Sequence, residues 1–486
     1  MYIKELTIEN YKGFKGEHIL KFDKNLVFFV GDNNSGKSTI FESIDFLKTG
    51  LPQTKVLEDI KNKNTDEPVC VTLKIQGDIK NIINDFSQSK YLSYVYKESG
   101  VETLLARRTS EVSTIKQKGK EVEINIKKIT LWNAETKQFE NPAGIDSVFK
   151  TLFETQFVWA DTNPDDISDF GSTKICGRLL TSTIGDFFES KQWGQFVDIH
   201  KETFQEGPNS LASRTKDLED RIQSLITNQY GSADIKFNFS LPEVASFIKS
   251  GGININDGTD TNSKDKGTGM QRALALALIQ IYSEEICKHP KDSKKIKPLF
   301  LFIDEPETFL HPIAQKKLLS ALDAISEVQQ VFITTHSPYL LKSFQSDKHV
   351  LFSCEKLTST NKVESSIKLD LFGNSSPTWG EINYFAYSLL TVEFHNELYG
   401  FVQAKAIKED FKYEKIEEFD KYLDTKGAKM DIEWIHEKSS GDKKYKTTLQ
   451  TYIRNTIHHT ENKKNIDYTD EQLEKSTNKL IDILKN

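Results

Sequence analysis

The chain has 486 residues, of which 37% are hydrophobic and 28% are charged. This length suffices for roughly two to four domains with buried cores, and no apolar run approaches the roughly 18 residues that span a bilayer, so we expect a cytoplasmic protein without a membrane segment. The net charge of −7 argues against a generally basic nucleic-acid-binding protein. Cys70, Cys176, Cys287 and Cys354 are far apart in the sequence, which favours reduced, mostly buried thiols over a disulfide framework or a zinc site.

The segment NLVFFVGDNNSGKSTI is an apolar run followed by the pattern G-x-x-x-x-G-K-S. It predicts a strand, a glycine-rich turn and the start of a helix. Gly31 and Gly36 let backbone N–H groups face phosphate oxygens. Lys37 is placed to reach the β- and γ-phosphates of ATP, and the Ser38 hydroxyl to bind Mg²⁺. The predicted ATP-binding residues of this phosphate loop are Gly31, Asn33, Asn34, Ser35, Gly36, Lys37, Ser38 and Thr39.

The segment LFLFIDEPETFLHP, residues 299–312, is a continuous apolar run that ends in two acidic residues. It predicts a buried parallel strand that delivers carboxylates to its C-terminal edge. Asp304 is the predicted ligand of Mg²⁺, and Glu305 is placed to polarise the attacking water. The alternative is a strand that ends in acidic surface residues, which the phosphate loop makes the weaker interpretation.

The segment QQVFITTHSPYLL predicts another buried strand, which ends at His336. A neutral imidazole at this position is able to hydrogen-bond the γ-phosphate or the attacking water. A lone histidine at a strand end usually has a structural role, but its place after the Asp-Glu strand favours a catalytic one.

The segment KDKGTGMQRALALALIQIY predicts a helix that opens with Gly267, Thr268 and Gly269. Its leucines, alanines and isoleucines surround the helix so fully that we expect it to be buried. The free N–H groups of a glycine-rich helix start attract an anion. The alternative is a flexible loop that caps a core helix.

These four segments, in this order, resemble the ATP-binding-cassette ATPases of the RecF, SMC and OLD group, over about residues 1–370. In that group two heads enclose ATP, so the resemblance implies that Gly267, Thr268 and Gly269 contact ATP held by another protomer, and that the protein is a homo-oligomer of at least two protomers. Lys12, in ENYKGF, occupies the place where related heads have a basic residue near the phosphates. Gly267 stands where the group has its signature serine, which leaves Thr268 as the hydroxyl of this turn.

The resemblance implies an α/β fold: an ABC-type P-loop ATPase head over residues 1–375, with an antiparallel β-lobe and a helical insertion at about 143–230. A helical stripe in that insertion serves core packing or a contact between protomers, and consists of Leu211, Leu218, Ile222, Leu225 and Ile226. Pro377 and Gly380 then mark a change in composition, after which the sequence is aromatic-rich and helical in pattern. Residues 376–486 are predicted to form a separate all-α domain.

The segment RNTIHH lies on a late predicted helix of this domain. Its R-N-x-x-x-H pattern resembles the motif of HEPN ribonucleases, carried here by Arg454, Asn455 and His459. One helical turn would place the arginine and the histidine on the same face, where they are suited to metal-free RNA cleavage. The alternative is that these side chains only hydrogen-bond within a helix bundle. The lysine-rich loop HEKSSGDKKYKTT is a candidate contact with nucleic acid.

An OLD-like head with no acidic Toprim nuclease pattern after it resembles the ATPase subunits of two-gene anti-phage systems such as PARIS and Septu. This resemblance implies an ATPase that senses a phage-protein trigger and regulates a toxic nuclease effector from a neighbouring gene. A second interpretation is a self-contained, ATP-gated HEPN ribonuclease toxin. A third is a RecF-like DNA-repair ATPase, for which the acidic composition offers little support.

Overall fold

The computed structural model describes residues 1–117, 119–160, 164–171, 174–241, 244–288, 298–308, 310–364, 367–437 and 441–485. The chain divides into two compact units, Met1–Ala160 with Lys294–Asn486, and Asp161–Ser293. Within the described residues, none of the helices combines the length and the apolar character needed to cross a membrane. Cys70, Cys176 and Cys354 are buried free thiols, as predicted.

The strands, in chain order, are β1 (Tyr2–Glu9), β2 (Glu17–Lys21), β3 (Leu26–Gly31), β4 (Cys70–Gln76), β5 (Tyr96–Glu98), β6 (Val101–Thr109), β7 (Ser113–Gln117), β8 (Lys120–Ile124), β9 (Thr130–Asn133), β10 (Gln138–Glu140), β11 (Glu154–Val158), β12 (Asn254–Asn256), β13 (Asp260–Asn262), β14 (Leu299–Asp304), β15 (Gln330–Thr334), β16 (His349–Lys356), β17 (Asn361–Glu364), β18 (Ile432–His436) and β19 (Lys443–Thr447).

The α-helices, in chain order, are α1 (Lys37–Thr49), α2 (Ile79–Asp85), α3 (Ile145–Leu152), α4 (Pro164–Ser168), α5 (Ile175–Thr183), α6 (Lys191–Lys201), α7 (Leu211–Tyr230), α8 (Val244–Lys249), α9 (Thr268–Lys288), α10 (Pro312–Ser326), α11 (Pro338–Leu341), α12 (Trp379–Glu381), α13 (Val392–Glu409), α14 (Ile416–Thr425), α15 (Leu449–His458) and α16 (Asp470–Lys485).

Two sheets form the framework of the first unit. One has six strands in the order β11-β14-β15-β3-β16-β17, with every pair parallel except β16 and β17. Every residue of β3, β14 and β15 is buried, as expected for central strands of a parallel sheet covered on both faces. The other sheet has seven antiparallel strands, in the order β10-β9-β6-β4-β1-β2 with β5 beside β6. This arrangement confirms the predicted α/β class with an antiparallel lobe.

Aromatic side chains fill the space between these sheets and helix α1. Phe302 and Phe332, from neighbouring strands, stack with ring centroids 4.8 Å apart. Phe29 stacks on Phe352 with centroids 5.1 Å apart, and Phe41 of α1 meets Phe302 at 5.3 Å. This packing fixes the start of α1 against the ends of the parallel strands, because ring pairs at these distances are rigid and fully buried.

Two expectations need correction, one about secondary structure and one about burial, and one of two interpretations of α7 is excluded. The segment Glu154–Val158 was expected to be helical, but it forms β11, because its alternating side chains pair in parallel with Leu299–Ile303 of β14. Helix α9 is not buried all round: Met270 is 40% exposed and Ile281 48%. The stripe on α7 is also not part of the core, since no residue of that helix is buried. A contact between protomers stays a prediction for it.

The C-terminal region is mainly helical but not all-α. Its core is formed by side chains from α13, α14 and α16, among them Phe394, Phe419 and Leu480. The exception is the antiparallel hairpin of β18 and β19, which pairs Trp434 with Tyr445. The sequence signal for this hairpin is short, because each of its strands has only five residues and lies in a lysine-rich stretch.

Candidate functional site

The first site lies at the carboxyl edge of the parallel sheet. Strands β14, β15 and β3 are adjacent and parallel, so their C-terminal residues, Asp304, Thr334 and Gly31, meet at one edge. Ligands of open α/β sheets bind at this edge, outside the carboxyl ends of the strands. Three of the four segments singled out in the sequence therefore come together here.

The phosphate loop has the backbone that its glycines predict. Gly31 and Gly36 have φ angles of 133° and 95°, in the region that favours glycine. A Cβ at Gly31 would lie 1.9 Å from the carbonyl oxygen of Cys354 on β16. Asn34 is also left-handed, with φ 65°. The loop thus turns tightly and delivers the chain to the first turn of α1.

Lys37 is the first residue of α1, and its ammonium folds back into the loop. It donates hydrogen bonds to the carbonyl oxygens of Gly31, at 3.1 Å, and Asp32, at 2.8 Å. Burial lowers the pKa of Lys37, and the nearby acidic groups, including Glu305 and Asp304, act against this effect. The cation is therefore held where a phosphate group would enter the loop.

Ser38 and Asp304 form the structural link between the loop and the Asp-Glu strand. The Ser38 hydroxyl lies 3.0 Å from both carboxylate oxygens of Asp304, although 266 positions separate the two residues. Thr334, at the end of β15, donates its hydroxyl to the same carboxylate. A hydroxyl beside a carboxylate presents hard oxygen donors of the kind that Mg²⁺ prefers, so these residues fit the predicted ion.

Glu305 leaves the strand in a left-handed conformation, with φ 47°. Its backbone N–H donates to the carbonyl and hydroxyl oxygens of Thr334, both at 3.1 Å. Its carboxylate lies 3.6 Å from Nε2 of His336. Burial lowers the pKa of His336, and Lys37 lowers it further, so the imidazole is neutral at pH 7. The sheet edge thus brings a carboxylate and a neutral imidazole together.

Glu307 belongs to the site's framework, and the sequence alone assigned it no role. One carboxylate oxygen accepts hydrogen bonds from the Thr335 hydroxyl and the His336 backbone N–H, both at 2.8 Å. Burial raises its pKa, and Glu305 raises it further. Its position in the DEPE segment was the sequence feature that could have indicated a role for Glu307. Only the fold shows that Glu307 positions the loop carrying His336.

Lys12 and the glycine turn belong to different units of the chain. Lys12 has φ 47° and pairs its ammonium with Glu42 of α1. Gly267, Thr268 and Gly269 lie at the start of α9 in the second unit, where no atom of the described residues lies within 4 Å of a Cβ built on Gly267. Contact of these four residues with ATP stays a prediction.

The R-N-x-x-x-H residues line a cavity of about 740 Å³, which we call the C-terminal pocket. Helix α15 ends at His458, so His459 is its cap rather than a helical residue, contrary to the expectation of one helical face. Arg454 and His459 nevertheless line the same pocket with Asn455 and His436. Arg454 donates to the Asn455 side-chain oxygen at 3.1 Å. His436 comes from β18 and was not identified in the sequence, because hairpin and helix meet only in the fold.

A model of the AAA ATPase domain matches residues 1–341. The chain belongs to this ATPase family. The ATPase-domain protein is 26% identical to Old nuclease of Escherichia phage P2, over 77% of this chain and 63% of that protein. It is 24% identical to Septu protein PtuA of Bacillus thuringiensis, over 71% of this chain and 74% of that protein. It is 23% identical to Endonuclease GajA of Bacillus cereus, over 75% of this chain and 60% of that protein. The chain thus spans less than two thirds of the length of Old nuclease and of GajA.

Proposed function

We propose that the chain binds ATP with Mg²⁺ at the phosphate loop and hydrolyses it. The observation that carries this proposal is the convergence of Ser38, Asp304 and Glu305 at one sheet edge, in a chain that belongs to an ATPase family. Ser38 and Asp304 would hold Mg²⁺, which supplies charge stabilisation to the phosphates when bound.

The other residues of the site each have a separate role in ATP binding and hydrolysis. The loop N–H groups and Lys37 bind and orient the triphosphate. Glu305 orients the attacking water and accepts its proton as the water oxygen bonds to the γ-phosphorus, and ADP leaves with the electrons of the broken P–O bond. His336, neutral and 3.6 Å from Glu305, hydrogen-bonds the water or the γ-phosphate.

A second copy of the chain would complete the site. The turn of Gly267, Thr268 and Gly269 opens a helix with an exposed apolar face, which includes Met270 and Ile281. An exposed apolar face beside a glycine-rich helix start suits a surface that closes on a partner with bound phosphate. We therefore expect at least a dimer that closes when ATP binds.

The cellular role that we infer is control of a toxic nuclease effector in defence against phage, with a phage protein as the trigger. It is supported by the similarity to Septu protein PtuA, and to Old nuclease and Endonuclease GajA, whose names describe nucleases. In this scheme ATP closes the assembly, and the trigger releases or activates the effector, which a neighbouring gene encodes.

Two purified single variants, Lys37→Ala and Glu305→Gln, test the ATPase proposal. Lys37→Ala should raise the Kd for ATP at least tenfold, because it removes a charge-assisted bond to phosphate. Glu305→Gln should bind ATP normally, hydrolyse it at least 100-fold more slowly and accumulate the closed dimer. Glu327→Gln is the matched control, since this exposed glutamate precedes the amino end of β15, whereas the site lies at the carboxyl ends of the strands. Wild-type hydrolysis in the Glu305→Gln protein would remove Glu305 from its role.

The effector proposal needs a separate experiment in cells. Protection from phage should require Lys37 and the neighbouring gene, but tolerate a combined Arg454→Ala and His459→Ala change. Protection that persists without any neighbouring gene would contradict regulation of a separate effector.

The C-terminal pocket favours a second candidate function, metal-free RNA cleavage. His436 and His459 have ring centroids 6.4 Å apart, and Arg454 lines the same cavity. One neutral imidazole would take the proton of an RNA 2′-hydroxyl as its oxygen bonds to phosphorus. The P–O5′ bond then breaks, and the other, protonated imidazole gives its proton to the leaving 5′-oxygen, which yields a 2′,3′-cyclic phosphate.

Incubation of wild-type protein with a labelled single-stranded RNA tests this second candidate. We expect 2′,3′-cyclic phosphate ends that disappear in His459→Ala but persist in His458→Ala, the exposed neighbour that does not line the pocket. Intact RNA with wild-type protein, with and without ATP, would exclude it.

A further inference from the structure

The C-terminal pocket has a rigid frame built from three elements. Asp420 of α14 accepts hydrogen bonds from the backbone N–H of Thr448, at 3.1 Å, and from its hydroxyl, at 2.6 Å. Thr448 in turn caps the start of α15. The hairpin is joined to the segment after α15 by the Ile435 N–H, which donates to the side-chain oxygen of Asn465 at 2.9 Å. These bonds connect the walls of the pocket to one another.

The walls of the pocket carry a surplus of positive charge. The lining has five lysine and arginine side chains but only two carboxylates, Asp420 and Glu417, and Glu417 lies 3.9 Å from Lys443. Three further cations, Lys415, Lys446 and Arg454, also line the pocket and form no ion pair within the described residues. Uncompensated cations around a concave surface attract an anion, and arginine with lysine is the combination that binds phosphate.

Two aromatic side chains of the hairpin also line this pocket. Trp434 is 1% exposed, and its Nε1–H has no hydrogen-bond partner within the described part of the chain. Because that nitrogen is fully buried, Trp434 supports the wall of the pocket and does not present its N–H to a ligand. The cross-strand partner of Trp434 is Tyr445, and the two therefore share one face of the hairpin. Tyr445 is the partly exposed member of the pair, and it offers aromatic surface to the pocket.

We propose that the C-terminal pocket is a second binding site for a nucleoside phosphate, separate from the phosphate loop. The phosphate would be bound by Arg454 with Lys446 and Lys415, and the base would lie against Tyr445. A volume of about 740 Å³ is in the range of small-molecule sites and accommodates one nucleotide. This chemistry has two sources, a free nucleotide or one unit of a single-stranded RNA. The proposal concerns binding, and it holds whether or not the pocket cleaves RNA.

Binding is measured in the full-length Lys37→Ala protein, so that the phosphate loop contributes little. The probes are ATP, AMP and a 5′-phosphorylated RNA of five nucleotides, titrated by calorimetry at low salt. Arg454→Ala should weaken binding at least tenfold, and Arg454→Lys should recover part of it, because the charge remains but the bidentate geometry is lost. Tyr445→Ala removes the aromatic surface on which the base would stack, and should weaken binding about fivefold.

Lys444→Ala and His458→Ala are the matched controls. Lys444 is on the hairpin but pairs with Glu433 at 2.9 Å, and neither control residue lines the pocket. Binding of AMP as tight as that of the RNA would identify a free nucleotide as the source, and binding of the RNA alone would identify single-stranded RNA. No binding of any probe, or binding that Arg454→Ala leaves unchanged, would overturn the proposal. Binding without cleavage would reject the ribonuclease candidate and leave this site intact.

Discussion

The role of Glu307 provides the sharpest test of how the sheet edge is organised. Two donors, the Thr335 hydroxyl and the His336 N–H, share one oxygen of its carboxylate, each at 2.8 Å. Glu307→Ala removes that acceptor and leaves both donors unsatisfied in the interior. At about 1–3 kcal/mol for each buried donor, the free energy of unfolding should fall by about 2–6 kcal/mol. ATP hydrolysis should fall as well, because the loop carrying His336 loses its anchor.

Glu307→Gln is the matched variant, since it keeps an oxygen for both donors, removes the charge and replaces the second carboxylate oxygen with an NH₂ group. Burial raises the pKa of Glu307, so the folded protein binds its proton more tightly than the unfolded chain does. The wild type therefore loses stability as pH rises through the pKa of the folded state, and the glutamine variant does not. At pH 7 the glutamine variant should equal or exceed the wild type in stability.

Urea unfolding, followed by tryptophan fluorescence at pH 5 and pH 8, measures these differences beside an ATPase assay. Glu327→Ala, an exposed change on the same unit, should stay within about 0.5 kcal/mol of wild type. If Glu307→Gln loses as much stability as Glu307→Ala, the hydrogen-bond acceptor is not what holds the loop, and the reasoning fails.

Two further predictions concern single residues. Gly31→Ala should lower the free energy of unfolding by more than about 3 kcal/mol, because its Cβ would lie 1.9 Å from the Cys354 carbonyl oxygen. Gly16→Ala should lower it less, because no atom of the described residues lies within 4 Å of its Cβ. Thermal unfolding compares the two variants, and equal losses of stability would refute the steric argument. His395 is fully buried beside Ser476, and burial lowers its pKa to about 4 from 6.5, so stability should fall by about 3 kcal/mol as pH drops from 6.5 to 4. His395→Gln should lack that part of the pH dependence in urea unfolding at pH 7 and pH 4.5, and an unchanged slope would contradict it.

The sequence was sufficient for the features that depend on local pattern. The order of glycines, lysine and serine after a strand predicted the phosphate loop, because a tight turn needs residues that tolerate positive φ. Continuous apolar runs predicted the buried parallel strands β14 and β15. The same local patterns are sufficient to indicate the ATPase family from the sequence.

Features that depend on distant contacts were missed or wrong. Glu307 and Thr334 gained roles only when two strands were placed side by side. Helix α9 was predicted to be buried, and core packing was one of two interpretations of the stripe on α7, since a sequence shows that a helix is apolar but not which neighbour covers it. Strand β11 read as helix, because its partner Leu299–Asp304 lies more than a hundred positions away.

The C-terminal pocket combines features that the sequence determines with features that only the tertiary structure determines. The sequence by itself determined that Arg454, Asn455 and His459 lie within six positions of each other. Only the tertiary structure decided that a hairpin packs against them and adds His436 and Trp434 to the same cavity. The physical reason is that periodicity records how side chains are arranged along one element, whereas a cavity is created by the packing of several.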